Sequence, residues 1–417
     1  MVRPVKNLTG LTSFAALTLV MSWAAVTGHA DVVDESTDEF TLVSDKVDRE
    51  LASFSHEPPF NEAENWHAGH HDRRIPWPSD QMSRTPDMFG DFHTEDRVAL
   101  FTRTNPPADF VTADLPLSGG TRRVKVSEHN RALPTDRVYF IYQHFHGALR
   151  LERTSAAGQS YPIEKFTFGA EKTVLNGMWS IEVRMPFTTG HEVTDPAALT
   201  DFVLTGGEIG NASFILKHLL YVGPRLGVSA GIGLNTPTGS DVAGSLPRHD
   251  SPLSFEVRNE AYQALPFIGA VATDGDRVFG HVFLQVDAGL NGNQVSFSDS
   301  NGNSFSTRFN EQTLLYLDAS YGRWLFHPPR PAGFFTGVAA MVELHYATSL
   351  AAPDEVPVFQ FGQFQGSLFD DIVNVTAGIN IELTGNSMLR FAGIFPFEGR
   401  PDRGFDAAWV ASFVRRL

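Results

Sequence analysis

Val373-Asn374-Val375-Thr376-Ala377-Gly378-Ile379-Asn380-Ile381-Glu382-Leu383 is the stretch whose reading decides the fold. Its odd positions are apolar, and its even positions are Asn, Thr, Gly, Asn and Glu. A strand sends successive side chains to opposite faces, so this run predicts one greasy face and one polar face. The same two-residue rhythm recurs upstream. Trp179, Ile181, Val183, Met185 and Phe187 alternate with Ser180, Glu182, Arg184 and Pro186. Val338 to Tyr346 and Leu226 to Leu234 follow suit, and Val278 to Ala288 carries His281, Gln285 and Asp287 on its second face.

Alternation alone also fits a soluble sandwich of two sheets. Connection lengths separate the two readings. About twelve strands are expected, near 138–151, 163–174, 178–188, 208–221, 225–235, 254–272, 277–289, 306–326, 333–348, 371–383, 387–396 and 404–417. Asn176-Gly177, Gly223-Pro224, Asp274-Gly275, Pro328-Pro329 and Gly385-Asn386 mark tight links. Most of the intervening links are longer and polar, including 189–207, 236–253, 290–305 and 349–370. Short and long connections that alternate along an even number of strands predict an all-β, antiparallel, up-and-down transmembrane barrel. Both chain ends of such a barrel lie on the short-turn side. Phenylalanine, at 34 residues, supplies candidate girdles. One would hold Tyr221, Tyr321, Trp324, Phe334 and Phe335, the other Phe187, Tyr346, Phe395, Phe397 and Phe405.

Three segments are expected along the chain. Residues 1–30 read as a secretory signal peptide: Arg3 and Lys6, an apolar run from Leu11 to Ala25, then Gly28-His29-Ala30 before Asp31. Residues 31–135 read as an acidic, proline-dotted periplasmic extension, largely disordered, with 17 Asp and Glu against 6 Lys and Arg over 31–100. Residues 136–417 form the barrel. Within the extension, His67, His70 and His71 beside Asp72 have a spacing that suits a metal, but a solvated linker explains them more simply. The basic run Gly119 to Val126 has two readings, a plug tucked into the lumen or a polar lead-in.

The chain has no cysteine in 417 residues, which excludes disulfides, thiol nucleophiles and cysteine zinc sites. A net charge of −16 argues against nucleic acid as a partner. No phosphate loop, dinucleotide fingerprint or two-histidine metal helix is present in the sequence, and no cofactor is expected.

The last strand, Phe405 to Leu417, resembles the C-terminal assembly signal of bacterial outer-membrane barrels. Phe405, Ala407, Trp409, Ala411, Phe413 and Leu417 keep the apolar alternation of that signal, whereas Arg415 breaks it and Leu stands where Phe is usual. Over 136–417 the layout, with its Gly-rich strands and Leu234-Asn235-Thr236-Pro237-Thr238-Gly239, resembles porin-like barrels of the phenol meta-pathway and fatty-acid-transporter type. The resemblance implies an outer-membrane pore for small solutes, in contact with outer-membrane lipid and the barrel-assembly machinery. A closed-lumen barrel acting through its outer loops is the alternative. The candidate lumen-facing, pore-lining residues are Glu182, Arg184, Lys217, Asp287, Asp318, Glu343, His345, Asn380, Glu382 and Arg390. Acids exceed bases among them, so an open lumen would mildly favour cations, unless the charges pair across it. No catalytic residue is expected: His249-Asp250-Ser251 falls in a long loop, and Glu343 with His345 reads as a structural pair.

Overall fold

The computed structural model describes residues 80–91, 97–102, 109–114, 123–153, 156–189, 191–194, 203–206, 209–246, 253–275, 277–328, 333–358, 362–365, 371–397 and 404–417. All belong to the unit Pro76–Leu417. The signal-peptide expectation and the histidines at 67, 70 and 71 lie outside the described residues.

One short helix, α1 (Asp80–Arg84), and two short strands, β1 (Arg97–Thr102) and β2 (Asp109–Asp114), precede the barrel. The barrel strands are β3 (Arg137–Arg153), β4 (Ala156–Val174), β5 (Trp179–Thr188), β8 (Ser213–Val222), β9 (Leu226–Asn235) and β12 (Gln263–Thr273), followed by β13 (Val278–Gly289), β16 (Thr313–Phe326), β17 (Phe335–Ala351), β20 (Asp371–Leu383), β21 (Ser387–Pro396) and β22 (Ala407–Arg416). Each pairs antiparallel with its neighbours in the order given, and β22 pairs with β3, so the twelve strands close on themselves. Closure leaves no edge inside the barrel.

The side-chain distribution inverts that of a soluble protein. Ile181 is 48 % exposed while its neighbour Glu182 is 1 % exposed. Phe214, Ile232, Ile268, Leu284, Val342 and Phe391 are likewise exposed, whereas Lys217, Asp287, Asp318 and Arg390 are fully buried. Apolar outside and polar inside is the signature of strands that cross a bilayer, and the molecule is an outer-membrane-type β-barrel.

The tight links form one rim of the barrel, called here the turn rim. Leu175, Asn176 and Gly177 have positive φ, as do Gly385 and Asn386, a conformation suited to short hairpin turns. At the opposite rim the long links are not plain loops. They contain β6 (His191–Thr194), β7 (Val203–Gly206), β10 (Val242–Leu246), β11 (Leu253–Arg258), β14 (Asn293–Asp299) and β15 (Ser304–Phe309), which pair into a second, six-stranded sheet. The expected strands 254–272 and 306–326 therefore each divide in two, at 259–262 and 310–312. The fourth long link holds β18 (Glu355–Val358) and β19 (Gly362–Gln365). These hairpins form a collar above the barrel.

The front segment joins this collar from within. β1 pairs with β19, and β2 pairs with Arg150 to Arg153 at the collar end of β3. The described residues thus begin at the turn rim with α1, climb the lumen through 85–91, add a hairpin to the collar, and descend through 123–135 to begin β3. The choice left open for Gly119 to Val126 falls, for its described residues Arg123 to Val126, to the plug: all four are buried.

The girdles hold in part. Tyr221, Tyr321, Phe334 and Phe335 are exposed on the outer face near the turn rim, and Phe395 and Phe397 near the collar. Trp324 and Phe405 turn inward instead, at 5 % and 2 % exposure. Trp324 shares the inward parity of Asp318 and stacks on His327 with centroids 4.2 Å apart, while Phe405 packs edge-on against Phe145 at 5.5 Å.

Candidate functional site: the plugged lumen

All ten residues expected to face the lumen are buried. What buries them is the plug. Glu343 on β17 accepts the backbone N–H groups of Phe89 at 2.6 Å and Gly90 at 2.7 Å, one per carboxylate oxygen. Glu382 near the turn rim takes a paired contact from Arg84, at 3.1 and 2.6 Å. Asp287 near the collar lies 3.1 Å from Arg123. Gln285 grips the plug backbone in both directions, accepting from Val126 N–H at 2.6 Å and donating to Val124 O at 3.0 Å.

Cations of the wall grip the plug as well. Arg184 donates to the carbonyls of Lys125 and Val126, and Lys217 to the carbonyl of Arg131. Arg390 donates to Asp87 O at 2.5 Å and lies 4.3 Å above the Phe89 ring, while its Nε is held by Asn380 at 2.8 Å. Glu182 sits between Arg184 and Arg137, at 2.9 and 3.2 Å.

Three charged wall residues escaped the sequence reading: Arg137, Lys165 and Glu171. Arg137, the first residue of β3, contacts Asp87, Glu171 and Glu182 at 2.8, 2.7 and 3.2 Å. Lys165 reaches Glu128 at 3.2 Å. Parity offered a signal, because Arg137, Tyr139, Ile141 and Gln143 alternate with outward residues. With these three added, six buried acids face five buried Lys and Arg on the described barrel strands. The acid excess that suggested mild cation preference is therefore small.

One side of the plug is apolar. Met82, Met88, Val124, Val126 and Leu133 pack on Ile215, Leu265, Phe267, Val271 and Phe283 of the wall. Elsewhere ion pairs fasten it, and they reset the plug's titrations. Burial pushes the Asp87 carboxyl up, but Arg137, Arg416, Arg390 and Arg131 outweigh it and hold the group well below the usual carboxylate range. Burial disfavours the Lys125 ammonium, yet Asp318 and Asp91 raise its pKa above the ordinary lysine value. His129 has the opposite fate: burial, then Arg390 and Arg184, push it well below the ordinary histidine value.

Asp91, Asp318 and His345 bring ligand atoms within 4.8 Å of one another, close enough for a metal ion. The Lys125 ammonium already occupies that place, 2.6 Å from Asp91 and 3.3 Å from Asp318. His345 also lies between Asp318 at 2.8 Å and Thr376 at 3.2 Å, a hydroxyl–imidazole–carboxylate line. Thr376 spends its hydroxyl on Gly90 O at 3.1 Å, and every member is buried, so the line fastens the plug to the wall. His249-Asp250-Ser251 lies outside the described residues.

No protein-family model and no curated protein matches the chain. Solved structures similar to it are barrels. The NanC porin is 7 % identical over 68 % of this chain and 100 % of that one, with a TM-score of 0.37. The Ralstonia pickettii toluene transporter TbuX is 9 % identical over 72 % and 97 %, at 0.35. The Pseudomonas putida toluene transporter TodX is 10 % identical over 68 % and 90 %, at 0.34. Likeness at this level carries no argument about function, and the barrel assignment rests on strand closure and the inverted side-chain distribution.

Proposed function

We propose that this chain is a transport barrel of the outer membrane, passing small solutes through a lumen that its own front segment occupies as a movable plug. The observation that supports this reading is the chemistry of the plug–wall contact. Burying paired charges is a poor route to stability, because apolar residues of similar volume fill the same space as well or better. A permanent stopper has no need of a wall lined with Arg137, Arg184, Asp318 and Glu343. A lumen that polar solutes cross does need one, and a plug seated on ion pairs can be re-solvated when it moves. The ten lumen-facing residues then act as pore lining once the plug is displaced, and the chain is not an enzyme.

The same reading assigns the surroundings. The turn rim faces the periplasm together with the part of the front segment before α1, residues 1–30 are removed as a signal peptide, and the collar faces outward. Outer-membrane lipid covers the apolar band. The barrel-assembly machinery acts through β22, whose alternation follows the C-terminal signal up to Arg415.

A second reading is favoured by the collar. Long links built into paired strands suit a rigid outer surface, as a closed structural or adhesive barrel would require. Flux decides between the two. The cysteine-free chain accepts the pair Ser127→Cys/Asp318→Cys, positions whose native side chains hydrogen bond at 2.6 Å. Reconstituted in liposomes, the reduced protein is expected to pass small solutes and the oxidised protein to be blocked. Equal absence of flux in wild type and in both redox forms would favour the closed barrel.

A further inference from the structure

The lumen wall is divided by charge. β3, β4, β5 and β8 carry Arg137, Lys165, Arg184 and Lys217, offset only in part by Glu171 and Glu182. β13, β16, β17 and β20 carry Asp287, Asp318, Glu343 and Glu382, with no buried Lys or Arg among their described residues. In a closed ring of twelve the first group occupies positions one to four and the second positions seven to ten, so the two face each other across the lumen. Arg390, on β21, stands at one boundary between them.

The plug obeys this division. It turns cations to the acidic wall, with Arg84 at 2.6 Å from Glu382, Arg123 at 3.1 Å from Asp287 and Lys125 at 3.3 Å from Asp318. It turns anions to the basic wall, with Asp87 at 2.8 Å from Arg137 and Glu128 at 3.2 Å from Lys165. Asp91 is the exception on the acidic side, and Lys125 covers it at 2.6 Å.

From this we infer that the solutes admitted to the lumen are small zwitterions, molecules that carry both an ammonium and a carboxylate, such as amino acids. The plug is an internal stand-in for such a solute, since it meets the acidic wall mainly with cations and the basic wall with anions. A uniformly anionic or cationic solute satisfies one wall and is repelled by the other, while a neutral one leaves both sets of charges without partners. The inference rests on the transport reading.

Three molecules of nearly equal size separate the possibilities: alanine as the zwitterion, lactamide as the neutral analogue and lactate as the anion. Influx into liposomes holding the full-length protein is expected to favour alanine over lactamide and lactate by about tenfold or more, the lower end of what a focused field supplies. The double variant Asp318→Asn/Glu343→Gln, checked for its heat-modifiable folded band, should lose most of that preference and move toward lactate. Equal passage of all three solutes by the wild type would overturn the zwitterion inference and leave transport standing. Passage of none would overturn the transport reading itself.

Discussion

Arg137 donates from Nη1 to Asp87 Oδ2 at 2.8 Å, joining the residue that opens the first barrel strand to the middle of the ascending plug segment. Both are essentially inaccessible to water. The same guanidinium also reaches Glu171 and Glu182, so three buried carboxylates share this cation. Breaking a buried pair by removing one partner costs far more than the pair is worth, because the remaining charges stay buried. Arg137→Met is expected to destabilise the folded barrel by about 3–5 kcal/mol. The midpoint of denaturant unfolding in detergent, followed by the gel shift between folded and heated forms, measures it. A loss below about 1 kcal/mol would place the network in contact with water.

Plug docking should depend on pH in a definite pattern. Asp87 has a depressed pKa in the fold, so its contribution is present above the unfolded value of 3.8 and lost as pH falls toward the lower folded value. His129 is held neutral, so the unfolded chain gains its proton first, and stability declines as pH falls through 6.5. Lys125 is raised, so its contribution is full below 10.5 and lost as pH climbs through the higher folded value. Maximum stability is therefore expected between about pH 7 and 10, with an acid decline that starts near 6.5 and steepens below 4. Thermal midpoints across pH test this, and His129→Gln should flatten the segment between 5 and 6.5. A stability maximum at pH 5 would contradict it.

Much of this was legible in the sequence, for a physical reason. A strand lining a polar lumen and facing lipid has two chemically opposed faces, so period-two alternation is strong, as from Val373 to Leu383. The twelve barrel strands follow from it, two of them drawn too long, and so does the inward parity that leaves Glu182, Asp318 and Glu343 buried. The plug did not, because 85–91 and 123–135 have no regular period: their backbone groups pair with wall side chains such as Glu343 and Gln285, partners hundreds of residues away or nearly so. Only the basic character of Arg123 and Lys125 hinted at them. The collar was hidden differently. Its strands are short and serine-rich, as at Ser296, Ser298, Ser304 and Ser306, and a polar run of that kind reads as loop unless parity is carried past the breaks at 259–262 and 310–312.

At Gly378 the wall lies close against the plug. A Cβ there would lie 2.7 Å from the Phe89 ring and 2.6 Å from the Phe391 carbonyl oxygen. The ring is also covered by Arg390, and the carbonyl is backbone, so neither can retreat cheaply. Gly378→Val is expected to cost about 1–3 kcal/mol through overpacking. The strain should be relieved by moving Phe89, so the variant should also leak. Higher liposome permeability than wild type, with the heat-modifiable band retained, is the expected result. An unfolded variant would be resolved by Gly378→Ala, which poses the same contact with less bulk, and a folded but non-leaking Gly378→Ala would show that the plug yields without opening a path.

The path of the front segment has a consequence for topology. β1 and β2 pair at the collar, whereas Lys172 lies at the turn rim and is largely exposed, with its ammonium 2.5 Å from Asp136. Because the chain lacks cysteine, a single introduced thiol reports its own side of the membrane without background. With the collar outward, Asp109→Cys at the start of β2 should react with a membrane-impermeant maleimide on intact cells. Lys172→Cys should react only after the outer membrane is permeabilised. Reaction of Lys172→Cys alone on intact cells would invert the barrel. Failure of Asp109→Cys to react in either condition would mean the hairpin is shielded within the collar, and a thiol at Asn301, in the exposed turn between β14 and β15, would then settle which rim faces out. Labelling of Asp109→Cys from outside would establish that the front segment, acidic and aperiodic as it is, crosses the whole lumen before the barrel begins.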